Sequence, residues 1–316
     1  MFAPTKPRRH AAALDDGTLT HVATAYSEAG DDYIAYADGD PTRLYSFDAR
    51  YGYCDRQVWK TLARKLEERR ASGASSIRIL DAGCGPGTWL RRIVTHAQAL
   101  GFSAIEARGF DIAQAQIQRA RLLAGNLARL PGVSLTFELG DLAQPLPESD
   151  RSIDLCLCLY GVLNHLPVPS LPATFAEMAR VTDGHLFATV RAIGSTPTIF
   201  VDSLDKASGF KQDHDRGRIE IDLRDGRHLA LSAHLFSASE IKTLIDEPLE
   251  IEDLRGLDLF HSRFAPDPRW NPASLAAPHP LDQELARLEE IYARDPRFID
   301  RAAHLFLVAR RAAPKV

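Results

Sequence analysis

The sequence is poor in the features that most quickly betray a specialised role. It has no excess of one charge: 38 Lys and Arg stand against 42 Asp and Glu, a formal net charge of −4. That balance gives no broad phosphate-binding surface, and no nucleic-acid partner is expected. There are only four cysteines, Cys54, Cys84, Cys156 and Cys158. Their spacing fits neither a disulfide framework nor a zinc site, so no metal centre is expected. Cys156 and Cys158 lie two apart in "IDLCLCLYG". On a strand they face one side and read as small buried hydrophobes. No apolar run is long enough to cross a bilayer, so no membrane partner is expected. The basic start, "MFAPTKPRRHAAALDDG", lacks the apolar stretch of a secretory signal and reads as a tail. These absences together predict a reduced, cytoplasmic protein. No internal repeat is visible. The pairs Arg69–Arg70 and Arg310–Arg311 read as solvated surface.

From Ile77 onward short apolar runs alternate with helical patterns. "IRILD", "AIEARGFD", "VSLTFELGD", "SIDLCLCLYG" and "GHLFATVRA" read as five buried strands. Between them lie helical patterns over Thr88 to Ala99, over "IAQAQIQRARLLAGNLARL" and through "LPATFAEMARV". Strand–helix alternation of this kind predicts a parallel sheet covered on both faces. After Ala192 the rhythm changes. "RIEIDLRDGRHLALS" alternates about Asp225–Gly226 and predicts a β-hairpin. A helix capped by Ser237 or Ser239 follows, then a strand in "LEIEDLRGLDLF", a Pro-rich loop, a helix from Leu281 to Ala293, and a last strand in "AAHLFLVARR". The expected architecture is an α/β doubly wound, seven-stranded, mostly parallel sheet with an antiparallel edge strand. Residues 1–70 are expected to form a tail and helical cap, and 71–316 the main domain. An insertion of about 192–234 completes a lid over the carboxyl edge of the sheet.

The segment "IRILDAGCGPGTWL" sets three glycines, Gly83, Gly85 and Gly87, at every second residue between a strand and a helix. Glycines there permit unusual dihedrals and close approach of a ligand to the backbone. No Gly-Lys-Ser/Thr follows, which excludes a nucleotide-triphosphate loop of that kind. Asp81, two residues before Gly83, repels a pyrophosphate but suits a cationic ligand such as an ammonium or a sulfonium.

On these residues the sequence resembles class I, Rossmann-like S-adenosylmethionine-dependent methyltransferases. The resemblance covers Ile77 to Arg191 in its motifs. It implies that Asp81, Gly83, Cys84, Gly85 and Gly87 hold the methionine part of the cofactor. It implies that Asp111, in "ARGFDIA", holds the ribose hydroxyls beside Ile112, and that Asp141 and Leu142, in "ELGDLAQPLP", lie near the adenine. Leu159, in "DLCLCLYGVLNHLP", would border cofactor and acceptor. No "DPPY"-type motif follows the fourth strand, which favours a small-molecule acceptor over a nucleic-acid or protein-amide one.

Three further residues, Tyr160, Asn164 and His165, fall just past the fourth strand, at the edge where open α/β sheets bind ligands. They are the candidate catalytic residues. His165 either takes a proton from the acceptor or fixes its loop by bonding to backbone. Tyr33, Tyr36, Tyr51, Tyr53 and Trp59 either shield a sulfonium or pack the cap. Arg191, Ser195, Thr196, His261 and Arg263 are further candidates for acceptor contact. The expected activity is in-line methyl transfer to a small molecule. Two alternatives stay open: a cyclase or lyase that releases methylthioadenosine from the same sulfonium, and a non-catalytic cofactor-binding module.

Overall fold

The computed structural model describes residues 22–27, 40, 42–47, 51–195, 207–213, 216–261 and 280–312. A seven-stranded sheet has the spatial order β3–β2–β1–β4–β5–β10–β9. Its strands are β1 (Ser76–Ala82), β2 (Ala104–Asp111), β3 (Val133–Leu139), β4 (Ile153–Cys158), β5 (Thr182–Arg191), β9 (Leu249–Leu257) and β10 (His304–Arg311). β1 to β5 pair in parallel. The reversal comes at the far edge, where β10 runs antiparallel to both β5 and β9. This is the mostly parallel sheet that the alternation of patterns predicts.

The period of two along each strand sorts its side chains between two cores. Ile77 and Ile79 of β1, with Phe306 and Val308 of β10, enter the cluster on one face. Leu80 and Ala82, with Leu305, Leu307 and Ala309, enter the other. Helices α2 (Gly52–Ala71), α3 (Thr88–Ala99) and α4 (Gln114–Ala124) cover the first face, and α2 contributes Val58, Leu62 and Leu66 to its core. Helices α5 (Leu171–Val181) and α6 (Ala238–Leu244) cover the second. Ser237 caps α6, its side chain accepting from the Glu240 N–H at 3.1 Å, which settles the choice between Ser237 and Ser239. The helix predicted through "IAQAQIQRARLLAGNLARL" is shorter than its pattern. It ends at Ala124, and a 3-10 turn, Leu127–Arg129, takes up the rest. The last helix, α7, is Pro280–Tyr292.

The predicted hairpin forms between β7 (Arg218–Leu223) and β8 (His228–Ser232). A further strand, β6 (Ala207–Asp213), pairs with β7 and makes a separate three-stranded antiparallel sheet. Against it packs a short helix, α1, at 22–27. Val22 and Ala25 share a third hydrophobic cluster with Ile219, Ile221, Leu229 and Leu231, distinct from the two cores of the main sheet. The adjacent arginines do more than face solvent. Arg69 pairs with Asp154 at 2.6 Å, and Arg311 donates at 2.8 Å to the carbonyls of Thr182 and Ala179 at the end of α5.

Candidate functional site

The turn from β1 into α3 is built around the end of β2. The Gly83 and Cys84 N–H groups both donate to the Phe110 carbonyl, at 2.8 and 2.9 Å. Gly85 N–H donates to Asp111 Oδ2 at 2.9 Å, and Ala113 N–H to Asp111 Oδ1 at 2.8 Å. The acid ending β2 therefore shapes the glycine loop as well as facing the cavity beside it. The three loop glycines all have positive φ, +78°, +52° and +76° in order, but for different steric reasons. A Cβ on Gly83 would lie 2.4 Å from Val162, and one on Gly87 2.6 Å from Phe137. A Cβ on Gly85 would meet nothing within 4 Å. The outer two glycines admit neighbouring side chains, whereas the middle one faces open space.

That space is a cavity of about 690 Å³. Of the residues that the resemblance assigns to cofactor, Gly83, Gly85, Asp111, Ile112, Asp141, Leu142 and Leu159 line it. Asp81, Cys84 and Gly87 are not in its lining. Cys84 is buried, and its Sγ packs where a Cβ on Gly109 would stand. Asp81 is also buried, and its Oδ2 has no hydrogen-bond partner. Burial, and then the nearby Asp111 charge, push the Asp81 carboxyl up to about 7. Burial likewise raises Asp111, opposed by the backbone N–H groups that it accepts.

The three candidate catalytic residues separate. His165 and Tyr160 line the cavity, and Asn164 does not. Asn164 is buried and spends its side chain on backbone: Oδ1 accepts from Arg191 N–H at 3.0 Å, and Nδ2 donates to the carbonyls of Arg191 and His234. It ties the end of β5 to the segment just after β8. Tyr160 has φ +58° and donates its hydroxyl to the buried Asp55 of α2. Its ring stacks on Trp89 at 5.8 Å. Burial and the Asp55 charge raise its phenol well above the ordinary value.

His165 is held on both ring nitrogens. Nδ1 faces the Ser232 carbonyl of β8, an acceptor only, so Nδ1 carries the proton. Nε2 is then the acceptor, and it takes the Tyr26 hydroxyl at 2.7 Å. Burial lowers the imidazole to about 4, which keeps it neutral near pH 7.

Tyr26 and Gln116 also line the cavity, and sequence reasoning missed both. Tyr26 lies 139 residues from its histidine, with no local pattern to connect them. Gln116 did leave a signal: it is a polar residue on the buried stripe of α4, beside Ile117, Ala120 and Ala124. Of the acceptor candidates, Arg191 and Ser195 are both buried and bonded at 3.1 Å, and Tyr53 stacks on His261 at 4.1 Å. Tyr33, Tyr36, Thr196 and Arg263 lie outside the described residues.

Residues 79–184 match the model of a family described as methyltransferase domain. A probable methyltransferase, ltbC, of Aspergillus luteorubrus is 31% identical over 149 residues, which are 44% of this chain and 50% of that protein. The chain thus spans about half the length of this curated relative. Magnesium protoporphyrin IX methyltransferase from Synechocystis PCC 6803, solved with bound S-adenosylmethionine, is 17% identical with a TM-score of 0.49, over 96% of this chain and all of that one. An S-adenosylmethionine-dependent methyltransferase from Mesorhizobium loti is 20% identical with a TM-score of 0.42, over 75% and 91% of the two chains. Sheet order, glycine loop and family match meet in one segment: residues 79–184, which carry β1 to β4 and the glycine loop, are similar to a methyltransferase domain.

Proposed function

We propose that the protein binds S-adenosylmethionine in the 690 Å³ cavity and transfers its methyl group to a small molecule enclosed beneath α1 and the three-stranded sheet. The observation that carries this reading is the convergence on one cavity of the open Gly85 position, Asp111, Asp141 and the Tyr26–His165 pair. The residues fit the cofactor. Each Asp111 oxygen is oriented by one backbone N–H and keeps a lone pair for a ribose hydroxyl. The buried Asp81 carboxyl, with one oxygen unpartnered, favours a nearby cation.

When bound, the cofactor supplies an electrophilic methyl group on a sulfonium. The chain's own task is alignment, exclusion of water and control of one proton. His165, neutral and locked through the Ser232 carbonyl, accepts the Tyr26 O–H. Tyr26 lines the cavity, and with its O–H given to His165 its oxygen is left to act as an acceptor toward a hydroxyl or amine placed there. Protonating an imidazole lowered to about 4 costs roughly 4 kcal/mol at pH 7, so orientation of Tyr26 outweighs outright proton uptake. Asn164 acts as a positioning residue, because it fixes the turn that carries His165. Tyr160 contributes a wall, its hydroxyl being committed to Asp55.

The test is product analysis. Purified protein is incubated with cofactor alone, then with pools of small-molecule acceptors, and the nucleoside is identified by mass. The expected result is S-adenosylhomocysteine only after acceptor is added. Steady methylthioadenosine from cofactor alone would overturn methyl transfer in favour of cyclisation or elimination. Binding without product in any pool would make the protein a cofactor-binding module.

A further inference from the structure

A second cleft, of about 740 Å³, is lined by α2, β9 and the end of α7, and it shares no lining residue with the first cavity. Gln57, Lys60, Thr61 and Arg64 line it from α2. Their spacing of three and four residues places them on one helical face. Arg255 of β9 lines it too, with its side chain only 16% exposed. Arg255 Nη2 donates to Thr61 Oγ1 at 2.8 Å, and the guanidinium lies over the Phe306 ring at 5.3 Å. Its carboxylate neighbour is already committed. Arg294 takes both oxygens of Asp253, Nε to Oδ1 at 2.7 Å and Nη2 to Oδ2 at 2.8 Å. Arg255 Nε is left 3.6 Å from Oδ2, with no hydrogen-bond partner. One carboxylate thus serves two guanidiniums, and the better-buried one is the less neutralised. Glu289, also in the lining, accepts the N–H groups of Leu259, Phe260 and His261. Arg64 pairs at the surface with Glu68 at 2.7 Å. Among the described residues the Lys60 ammonium has no partner. Glu290 is exposed, where water and salt screen its charge.

We propose that this cleft is a second ligand site, which takes a phosphate or carboxylate group of a small molecule between Lys60 and Arg255. A half-buried guanidinium without a close counter-ion of its own gains most from an anion brought beside it, because little water screens the pair. Lys60 adds a mobile point charge on the α2 side. Tyr53 lines the same cleft, and burial raises its phenol, which keeps the O–H available to donate. The free groups of the cleft are therefore donors and cations, the complement of an oxyanion. Neither Lys60 nor Arg255 lines the first cavity, so the site does not depend on the cofactor reading.

The experiment titrates the whole protein with inorganic phosphate, glycerol phosphate and succinate by calorimetry, with ionic strength held constant by sodium chloride. The three probes separate a phosphate from a phosphate ester and from a carboxylate. Wild type is compared with Lys60→Met and Arg255→Gln, and with Arg216→Gln, an exposed arginine outside the cleft, as control. At least one probe should bind saturably to wild type and to the control, and about tenfold more weakly to each cleft variant. Saturating S-adenosylhomocysteine should leave that binding unchanged. Lys60 is exposed, so Lys60→Met keeps the test decisive if Arg255→Gln folds poorly. No saturable binding of any probe to wild type overturns the proposal. So does equal binding to wild type and Lys60→Met, which is what general surface charge would give. Competition by S-adenosylhomocysteine also overturns it, because the anion would then sit in the first cavity. Failure of S-adenosylhomocysteine itself to bind would overturn the cofactor reading and leave the anion site standing.

Discussion

Asp81 and Asp111 lie at the ends of adjacent parallel strands, the first buried and the second half-buried. Two neighbouring carboxylates with little water resist ionising together. Asp81, pushed up to about 7, has a folded-state value above its ordinary 3.8. The folded protein therefore holds this proton more tightly than the unfolded chain does. Its stabilising contribution is full below about pH 3.8 and is lost as pH rises through about 7. Asp81→Asn, which cannot ionise, should accordingly stabilise the ligand-free protein at pH 8 by on the order of 3 kcal/mol, with the gain shrinking toward pH 4. The same variant should bind the cationic cofactor more weakly. Urea denaturation at the two pH values, paired with cofactor titration, checks both halves. An equal effect on stability at pH 4 and pH 8 would count against a raised Asp81.

The strand–loop–helix unit from β1 to α3 separates glycines that neighbouring side chains require from one that faces open space. Gly87 cannot carry a Cβ without meeting the Phe137 ring, and its φ is +76°. Gly87→Ala should destabilise the protein by roughly 2–4 kcal/mol, combining overpacking with left-handed strain. Gly85→Ala meets no neighbour and should cost only about 1–2 kcal/mol for its φ of +52°. On the proposed cofactor reading it should nonetheless cut affinity, because the added methyl projects into the open space beside the loop, which belongs to the cavity. Denaturation curves and calorimetry on the two variants should thus rank them in opposite orders. Gly83 shows why the fourth-strand segment "LYGVLNH" and the glycine loop work as one unit: Val162 fills the space that its missing side chain leaves.

Across the whole molecule, acid stability depends on histidines that folding keeps neutral. Burial lowers His165 to about 4 and His304 to about 3, each from an ordinary 6.5. Their folded values lie below the unfolded one, so the stability they contribute is present above about pH 6.5 and is lost as pH falls toward 4 and 3. His304 is wedged edge-on against Tyr51 and Tyr160, at 4.8 and 5.5 Å, with Cys54 on Nδ1. His304→Phe should keep that packing and remove one titration, flattening the fall in stability between pH 6.5 and 4.5 by roughly 1.4 kcal/mol per pH unit. Denaturation at three pH values across that range measures the slope, and an unchanged slope would show that His304 is not the group responsible. Asp81 acts in the opposite sense over part of the same range, so the comparison must be between slopes and not absolute stabilities.

The sheet and its glycine loop were legible because their determinants are local. Period-two patterns in β1 and β10, the glycine spacing, and acids at strand ends are each written in a few consecutive residues. Asp111, Asp141 and Leu142 were named only through the family resemblance that those local features carry, and they line the cavity. β6 left too weak an alternation to be seen beside the hairpin, since its residues "ASGFKQD" are mostly half-exposed. What the sequence could not rank was the trio Tyr160, Asn164 and His165, which share one short segment. Only the folded chain shows that Asp55 takes the tyrosine, that two backbone carbonyls take the asparagine amide, and that Tyr26 and Ser232 hold the histidine. Those partners lie 105, 27, 70, 139 and 67 residues away along the chain. A strand or a turn is decided by neighbours in sequence, because backbone dihedrals and side-chain period are local properties. Burial, protonation and the direction of a hydrogen bond are decided by whichever distant groups packing brings within 3 Å, and no short stretch of sequence encodes that choice.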